Sequence, residues 1–520
     1  MGFVDLDRRS FLMMTTALGL GVGVRPWPAV AQDRTSLRIR SYSDLQVLDP
    51  LNRLAQPEGD IMDAIFSNLV KAKPGEVWDW QLDAAEAIEQ VDERHIAFTL
   101  RQGIQFTGGF GELTAEDVKY SFERIAEPAN ESPYRDDWAV LDRVEVEGPY
   151  AGTIVLKEPF APLWTISLVR GSGSILSKKA MEQVGGKFTT EPPAGSGAYV
   201  LQEWQPKQKT ILVRNPSFYG PAPDFEEVHV YPIEDEKTAE IAFEAGELDY
   251  TTISLSSLPE LKASMPAGAR IVERPSMAYV WLGMNVENPA LQDLKVRQAI
   301  QKAVDVEAVL EAAYFGVAER STGIIAPGMP GHRDVTPPAR DLDGARALLD
   351  AAGIGNLALT LDILNKTERS AAAQVIQANL AEVGIDVTIQ THDSGTFWTL
   401  GDQSAGDRWQ DIQLVLSRFS MQPDSSFATA WFTPEQIGVW NWERFNSPEF
   451  GELHKAAIIE TDPAKRHEMY VRMQDLMDQS GAYVFLTHEL NAAIYRDSLV
   501  PGLLPDGNVR FAEFKLADKT

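Results

Sequence analysis

Residues 84–124, AAEAIEQVDERHIAFTLRQGIQFTGGFGELTAEDVKYSFER, decide how this chain folds. The run 95–101 alternates apolar with more polar side chains, and this period of two predicts a half-buried strand. A glycine-bearing turn follows it. Thr114 and Asp117 then stand at the spacing of a capped helix start, and apolar residues recur after them at helical spacing. We expect a strand, a turn and an amphipathic helix in that order.

The composition indicates a soluble protein with more than one lobe. At 520 residues the chain exceeds the size at which a single hydrophobic core usually divides. The formal charge of −28 makes nucleic-acid binding a poor expectation, because phosphate contact needs a basic surface. The sequence has no cysteine, which excludes disulfides, thiolate metal sites, a cysteine nucleophile and a lipoprotein anchor.

The N-terminus is typical of an export signal. Residues 7–12, DRRSFL, have the form of a twin-arginine motif, and an apolar run over 11–24 follows. Residues 29–31, AVA, have the small-x-small pattern of a cleavage site, and the apolar run is too short to anchor a protein in a bilayer. We therefore predict a signal peptide over 1–31, export by the twin-arginine route, and a mature protein free in the periplasm.

Further segments along the chain contain recognisable sequence motifs. A helix is predicted over 61–70, a proline-glycine turn over 192–199 (PPAGSGAY) leads into a strand, and RNPSFY follows at 214–219. A helix over 236–245 ends before a glycine, and KVRQAI at 295–300 belongs to another helix.

These segments and residues 84–124, in this order, resemble the family 5 extracellular solute-binding proteins. That family contains the receptors of ABC importers for peptides, nickel chelates, opines and some oligosaccharides. The resemblance extends over nearly all of the predicted mature chain. It implies an α/β, two-lobed periplasmic-binding-protein fold, type II-like and of class C with an extra subdomain, with a hinge between the lobes.

The resemblance also implies boundaries for the lobes. Lobe I would span 32–278, with an inserted subdomain at roughly 70–185. Lobe II would begin with the uncharged strand 279–285 and extend to 486, and residues 487–520 would return to lobe I. A ligand that touches both lobes would stabilise a closed state, which the membrane permease subunits of the importer would recognise.

Catalytic motifs are absent from the sequence. It has no Gly-x-Ser-x-Gly elbow, no His-Glu-x-x-His and no dinucleotide glycine fingerprint, and its seven histidines show no pair at metal-ligand spacing. We expect no catalysis, no cofactor and no metal site. The alternative from another class is an exported hydrolase that uses paired carboxylates, although such pairs in an acidic chain are usually solvated.

One segment departs from the pattern of the peptide-binding members. In those members the motif GWxxDxxxPxxF contains the aspartate that binds the peptide's amino group. In this chain residues 416–427 read LSRFSMQPDSSF, and alignment on Pro423 places Phe419 at the aspartate position. Alignment on Phe427 shifts that position by one residue, and no acidic residue occurs between Asp411 and Asp424. A phenylalanine cannot neutralise an ammonium group, and an unpaired buried charge is costly. A conventional dipeptide or oligopeptide is therefore less favoured than the family name suggests.

The neighbouring residues suggest an anionic or sugar-containing ligand instead. Arginine pairs with carboxylate or phosphate bidentately, although a surface or interlobe salt bridge is an equal alternative for each arginine. Trp440 and Trp442 would share one face if residues 440–442 formed a strand, and flat indoles suit a sugar ring. The predicted ligand-binding residues are Arg418, Phe419, Ser420, Trp440, Trp442, Arg369 and Trp398, with Tyr42, Trp281 and Asn285 at the edges of the cleft.

The predicted function is a periplasmic receptor that delivers a small polar organic solute to permease subunits. We expect it to be a monomer. An opine-like conjugate is favoured over a free peptide. Two alternatives within the class stay open: a peptide receptor that satisfies the amine with backbone carbonyls or a displaced acid, and a metal-chelate receptor.

Overall fold

The computed structural model describes residues 35–52 and 55–519. The predicted signal peptide lies outside these residues. The strands are β1 (Ser36–Ser41), β2 (Val70–Ala72), β3 (Trp80–Leu82), β4 (Ala85–Gln90), β5 (His95–Leu100), β6 (Gln105–Phe106), β7 (Gly111–Glu112), β8 (Leu141–Gly148), β9 (Ala151–Leu156), β10 (Tyr199–Gln205), β11 (Lys209–Arg214), β12 (Glu227–Pro232), β13 (Tyr250–Thr252), β14 (Ala269–Met284), β15 (Leu357–Leu364), β16 (Ile385–His392), β17 (Leu414–Ser420), β18 (Tyr483–Arg496), β19 (Leu499–Val500) and β20 (Lys515–Leu516).

The helices are α1 (Gln56–Ile65), α2 (Ala115–Ala126), α3 (Lys178–Gln183), α4 (Glu236–Glu244), α5 (Leu258–Ala263), α6 (Leu294–Ala303), α7 (Val306–Tyr314), α8 (Leu342–Ala351), α9 (Thr367–Ala381), α10 (Ser394–Phe397), α11 (Ser426–Thr429), α12 (Pro448–Ile459) and α13 (Pro463–Gln479). Within the described part of the chain, no helix has both the length and the apolar character needed to cross a bilayer.

Residues 84–124 contain the strand, turn and helix predicted for them. The alternating run forms β5, in which the apolar residues at 96, 98 and 100 are buried. Asp117 accepts a hydrogen bond from the backbone N–H of Thr114 (2.9 Å), which satisfies a donor at the start of α2. The apolar face of α2, including Phe122, packs on the same core as β5. The local pattern was sufficient here because strand and helix bury the faces that their periods define.

This unit belongs to a small antiparallel sheet with the strand order β4-β5-β9-β8. The sheet and α2 enclose a hydrophobic core in which the rings of Phe122 and Trp138 stack at 4.2 Å. The sheet falls within the predicted inserted subdomain over roughly 70–185.

A ten-stranded mixed sheet forms the rest of the framework in the described residues, in the order β10-β11-β12-β1-β13-β18-β14-β17-β15-β16. β1 is parallel to β12 and β13, and β15 is parallel to β16 and β17, whereas the central strands are antiparallel. Parallel pairs with crossover helices on both sides of an antiparallel centre give two α/β regions that share one sheet.

The two long central strands, β14 and β18, connect these regions. Their pairing shifts register between Pro275 and Tyr279, so that Pro275 lies opposite Leu490 and Tyr279 lies opposite His488. Proline lacks the N–H that a regular ladder requires at this point. The irregularity lies beside the predicted boundary at 278/279, and we propose that the hinge between the lobes is located there.

The first helix differs from its prediction. The expected helix over 61–70 begins and ends earlier, as α1 over Gln56–Ile65. Glu58 accepts a hydrogen bond from the backbone of Ala55 (3.1 Å), which starts the helix one turn before the first apolar residue of the pattern. Gly197 N donates to Ile65 O (2.9 Å), and a Cβ at Gly197 would lie 2.4 Å from the Ala64 carbonyl oxygen. The close packing of this glycine turn therefore accompanies the end of the helix.

Candidate functional site

A cavity of about 420 Å³ lies at the carboxyl ends of the parallel strands β1 and β13. Ligands of open α/β sheets bind outside the carboxyl ends of such strands. The residues around it come from β1 and the residue after it, α1, α4, β13 and the residues after it, β14, β18 and residues 503–509. The polar residues among them are Arg40, Ser41, Tyr42, Gln56, Asp60, Glu236, Tyr250, Thr252, Arg274, Asn491 and Asn508.

Tyr42 is the predicted site residue that lines this cavity. It follows β1 directly, and its side chain is 51% exposed at the edge of the cavity. An exposed tyrosine at a cavity edge offers both an apolar ring and a hydroxyl group to a ligand. The expectation that Tyr42 contacts the ligand therefore stays a prediction that the geometry allows.

Asp60 of α1 also lines the cavity, and sequence reasoning missed it. Gln56 Nε2 donates to Asp60 Oδ1 (2.6 Å), but no basic side chain of the described residues lies within 4 Å of this carboxyl group. The nearby cation, Arg510, lies 3.2 Å from Asp63 instead. Burial raises the pKa of Asp60 to about 8, and Asp63 and Asp506 add to this effect. The cavity thus contains a carboxyl group that lacks a counter-ion.

The two arginines that line the cavity differ in their hydrogen-bond partners. Arg40 donates to the carbonyl oxygens of Ile233 (2.7 Å) and Glu234 (2.8 Å), so its donors are largely satisfied by the backbone. Arg274 Nη1 contacts Glu76 (3.3 Å) and the carbonyl oxygen of Glu273 (3.5 Å), whereas its buried Nε has no hydrogen-bond partner in the described part of the chain. Arg274 therefore retains a donor beside the cavity.

Arg369 and Arg418, predicted to bind an anionic ligand, converge on Glu489 of β18. Arg369 Nη2 lies 2.9 Å from Glu489 Oε1, and Arg418 Nε lies 2.8 Å from Oε2. Burial opposes the ionisation of Glu489, but the two guanidinium groups outweigh it and hold the pKa of this carboxyl below its ordinary value. Both arginines thus form ion pairs within the protein, the alternative to ligand contact for each of them.

The two arginines differ in their exposure. Arg369 is 3% exposed and also donates to the hydroxyl of Tyr314, so it has no surface left for a ligand in this arrangement. The Arg418 side chain is 43% exposed, and its remaining contact is with Ser420 Oγ (3.3 Å). Arg418 and Ser420 stay candidates for ligand contact, whereas Arg369 is a buried structural cation.

Phe419 lies at the centre of a group of half-buried aromatic rings. Its ring is 6.2 Å from that of Trp398, 5.9 Å from that of Trp440 and 5.8 Å from that of Trp431. All four side chains are partly accessible to solvent. The structure therefore brings together three of the predicted ligand-binding residues, Phe419, Trp398 and Trp440, on one aromatic surface of the predicted lobe II.

The prediction for residues 440–442 was wrong in its local structure. They form a turn after a single bridge between Ile437 and Asn441, so no strand places both indoles on one face. Trp442 is 4% exposed and packs on Phe397 in the core, while Trp440 stays half-buried. Asn441 donates to the carbonyl oxygen of Phe445 (2.8 Å), and this buried amide organises the turn.

Trp281 and Asn285, expected at the edge of the cleft, are buried. Trp281 is 1% exposed and donates from Nε1 to Glu443 Oε1 (2.7 Å). Asn285 Nδ2 donates to the carbonyl oxygen of Ile412 (2.9 Å), at the end of β14. Their partners are within the protein, so they support the fold and do not line the cavity. The uncharged sequence of β14 does not reveal which of its side chains face the cavity, because both faces of the strand are covered.

The signal that could have identified Asp60 is weak. Gln56 and Asp60 stand four residues apart, a spacing that places two polar side chains together on one face of a helix. The sequence prediction began the helix at 61 and so left both residues outside it. No group of three or more His, Cys, Asp or Glu side chains suited to a metal ion occurs among the described residues.

Comparison with known proteins agrees with the resemblance found in the sequence. The model of the bacterial extracellular solute-binding proteins, family 5, middle region, matches residues 80–438. The chain belongs to this family. It is a solute-binding receptor of an ABC importer, and the two-lobed α/β fold expected from its sequence is confirmed.

Three similar proteins illustrate the relationship. The probable D,D-dipeptide-binding periplasmic protein DdpA of Escherichia coli K12 is 25% identical over 505 residues, which cover 92% of this chain and 93% of that protein. The glutathione-binding protein GsiB of Salmonella paratyphi A is 24% identical over 522 residues, with coverages of 96% and 98%. The structure of HbpA2 from Haemophilus parasuis has a TM-score of 0.82 at 22% identity, with coverages of 92% and 99%.

Proposed function

We propose that this receptor binds a small solute with both an ammonium group and an anionic group, and that Asp60 binds the ammonium group. The observation that carries the proposal is the Asp60 carboxyl group in the 420 Å³ cavity, which lacks a cation among the described residues. An ammonium group of the ligand would supply the missing counter-ion. Asp60 is then the displaced acid that a peptide receptor needs when Phe419 replaces the usual aspartate.

The size and lining of the cavity support a small ligand. A volume of about 420 Å³ is within the range of small-molecule sites, which combine apolar walls with a few polar groups. Asn491 of β18 lines the cavity two residues after Glu489, which is paired with Arg418. We place the anionic end of the solute at the exposed guanidinium group of Arg418, beside the aromatic surface around Phe419.

The relatives support a peptide-like or opine-like solute. DdpA is named for D,D-dipeptides and GsiB for glutathione, and such molecules carry amino and carboxylate groups together. Amine recognition at Asp60 makes a peptide-like solute at least as well suited to the site as the opine-like conjugate favoured from the sequence. A neutral sugar is disfavoured, because it offers no cation to the Asp60 carboxyl group and so gains nothing from its ionisation.

The proposed mechanism is transport without chemical change. The solute would bind between the lobes, β14 and β18 would bend near Pro275, and the closed form would deliver the solute to the permease. We further propose that the receptor is an exported periplasmic monomer that follows the twin-arginine route, without catalysis and without a cofactor.

Calorimetric titration tests the role of Asp60. The ligands are a D-alanyl dipeptide, glutathione and an opine, each compared with its N-acetylated form. We expect one unmodified ligand to bind and its acetylated form to bind at least tenfold more weakly. Asp60→Asn should lower the affinity about 30- to 1,000-fold, as expected when one member of a buried charge pair is lost. Glu244→Gln, an exposed amide substitution on α4, serves as the matched control.

Proton release provides an independent readout. The carboxyl group of Asp60 is largely protonated at neutral pH in the empty protein, since its pKa is raised to about 8. Binding an ammonium group favours the ionised form, so binding at pH 7 should release a proton. Titrations in two buffers with different ionisation enthalpies measure this release. Equal binding of amines and acetylated ligands, with no proton release, would show that Asp60 does not bind an amine.

A further inference from the structure

A second cavity, of about 410 Å³, lies apart from the one at Asp60. Its walls come from three distant parts of the chain: the region of β3 and residues 161–170, the segments around Pro423 and the start of α13, and the C-terminal residues Leu504 and Arg510. These parts belong to the predicted inserted subdomain, to lobe II and to the return segment. The cavity therefore lies where both predicted lobes contribute side chains.

A turn over residues 503–510 separates the two cavities. Leu503, Gly507 and Val509 line the cavity at Asp60, whereas Leu504 and Arg510 line the second one. Backbone hydrogen bonds within the turn, such as Gly507 N to Leu504 O (2.9 Å), hold it in place. The two cavities are thus different sites in this arrangement.

One wall of the second cavity is aromatic. The indole rings of Trp80 and Trp164 stack at 5.2 Å with an interplanar angle of 21°, and both side chains are half-buried. Trp164 Nε1 donates to Gln90 Oε1 (3.3 Å), which orients the ring. Trp78 lies beside them in the same lining. Partly accessible indoles held in a fixed orientation suit a planar or sugar ring.

The second cavity also contains an arginine without a partner. Among the described residues, Arg170 has no acidic group within 4 Å and its guanidinium group makes no hydrogen bond. Burial is the main cause of the lowered pKa of Arg170. Asp506 and Asp137 raise this pKa from a distance, but they do not outweigh burial. A half-buried guanidinium group without a close counter-ion is costly, and an anion would relieve that cost.

The other arginines of this lining are paired. Arg466 Nη2 lies 3.0 Å from both carboxylate oxygens of Asp424, and Arg510 lies 3.2 Å from Asp63. Asp79 is the acidic residue of the lining, and it is exposed. The contrast identifies Arg170 as the group that is available to a ligand.

We propose that this cavity is a second binding site, for an organic anion whose carboxylate or phosphate pairs with Arg170 and whose ring stacks on Trp80 and Trp164. Thr165 Oγ1 already donates to Asp424 Oδ2 (3.1 Å) beside this cavity, across the two predicted lobes. An anion bound here contacts both lobes and favours their approach, independently of the amine at Asp60.

Titration with small ring compounds tests the site. The probes are phenylacetate and glucose 6-phosphate, with phenylacetamide and glucose as their neutral analogues, and binding is followed by calorimetry and tryptophan fluorescence. We expect one of the two anions to bind at millimolar concentration or below, at least tenfold more tightly than its neutral analogue. The anion that binds identifies carboxylate or phosphate as the preferred group. Failure of both anions to bind would overturn the proposal.

Variants locate the bound anion. Arg170→Gln should lower the affinity for the anion at least tenfold, to that of the neutral analogue, while Arg170→Lys retains part of it. Trp164→Leu should lower the affinity for the anion and the affinity for its neutral analogue by a similar factor. Arg143→Gln, an exposed substitution on β8, is the matched control and should leave binding unchanged. Thermal unfolding confirms that each variant is folded, and an unchanged affinity in Arg170→Gln would remove this residue from the site.

Asp60→Asn separates this proposal from the proposed function. Binding of the anionic probe should be unchanged in Asp60→Asn, and binding of the amine ligand should be unchanged in Arg170→Gln. If the amine ligand fails to bind while the anion binds, the role of Asp60 is wrong and the second site stands. Loss of anion binding in Asp60→Asn would contradict the separation of the two sites.

Discussion

Asp60 and Glu489 are both partly buried acids close to β18: Glu489 belongs to this strand, and Asp60 lines a cavity to which the strand contributes side chains. The two carboxyl groups differ in their hydrogen-bond and ion-pair partners. Glu489 lies between the guanidinium groups of Arg369 and Arg418, and its pKa is held below the ordinary value. Asp60 has the amide of Gln56 as its partner, and burial raises its pKa to about 8. The first acid is satisfied within the protein, whereas the second is not.

This difference separates structural charges from charges that suit a ligand. A buried ion pair that is complete has little to gain from a further ion, because its charge is already balanced. A carboxyl group that lines a cavity without a counter-ion gains from a cationic ligand in proportion to what its burial costs. The same reasoning distinguishes the paired Arg466 from the unpaired Arg170 in the second cavity.

The largest effect on stability is expected at Glu489, the acid that has ion-pair partners. Glu489→Gln removes the charge that balances Arg369, which is 3% exposed. We expect the protein to lose about 3 kcal/mol of stability, as is usual when one member of a buried pair is removed. The measurement is the shift of the urea midpoint and of the thermal midpoint.

An exposed ion pair is the control for this prediction. Glu449 lies 2.7 Å from Arg472 on the surface, and Glu449→Gln should change the stability by less than about 0.5 kcal/mol. Equal losses in the two variants would contradict a special role for the Glu489 pair.

The next effect concerns the pH dependence of stability at Asp60. Because the pKa of Asp60 is raised in the folded state, the folded protein binds more protons than the unfolded chain between about pH 4 and about pH 8. Its contribution to stability therefore falls as the pH rises through this window. Asp60→Asn should be the more stable protein at pH 8, by about 2 kcal/mol after allowance for solvent screening, and the gain should vanish near pH 4.

Thermal unfolding of both proteins between pH 4 and pH 8 measures this difference. Glu244→Gln, with its exposed side chain, should run parallel to the wild type over the whole range. A difference between Asp60→Asn and the wild type that does not grow with pH would show that Asp60 is ionised and paired in the folded protein.

The smallest effect on stability is expected at Arg418. Its side chain is 43% exposed, so Arg418→Gln should cost less than about 1 kcal/mol even though it removes a contact with Glu489. The same substitution should lower the affinity for an anionic solute about tenfold, on the low side of the range for charged contacts. Calorimetric titration beside Ser420→Ala checks this, and an unchanged affinity would assign Arg418 to the salt bridge alone.

Local elements could be predicted from the sequence because their causes are local. The alternating residues of β5 and the capping pair of α2 lie within a few residues of one another, and the structure has both where they were expected. The family resemblance could be read for the same reason, since it consists of short segments in a shared order. Residues 440–442 differ from their prediction, because alternation predicted a strand where the buried amide of Asn441 organises a turn.

The sequence by itself determined the family and the α/β character of the lobes, and it predicted the loss of the usual aspartate at Phe419. Only the tertiary structure decided which charges are balanced. Glu489 lies 120 residues from Arg369 along the chain, and Arg510 pairs with Asp63 and not with Asp60. Such pairings depend on the register of long strands and on where helices begin. No local pattern encodes them, because electrostatic partners are set by distance in space.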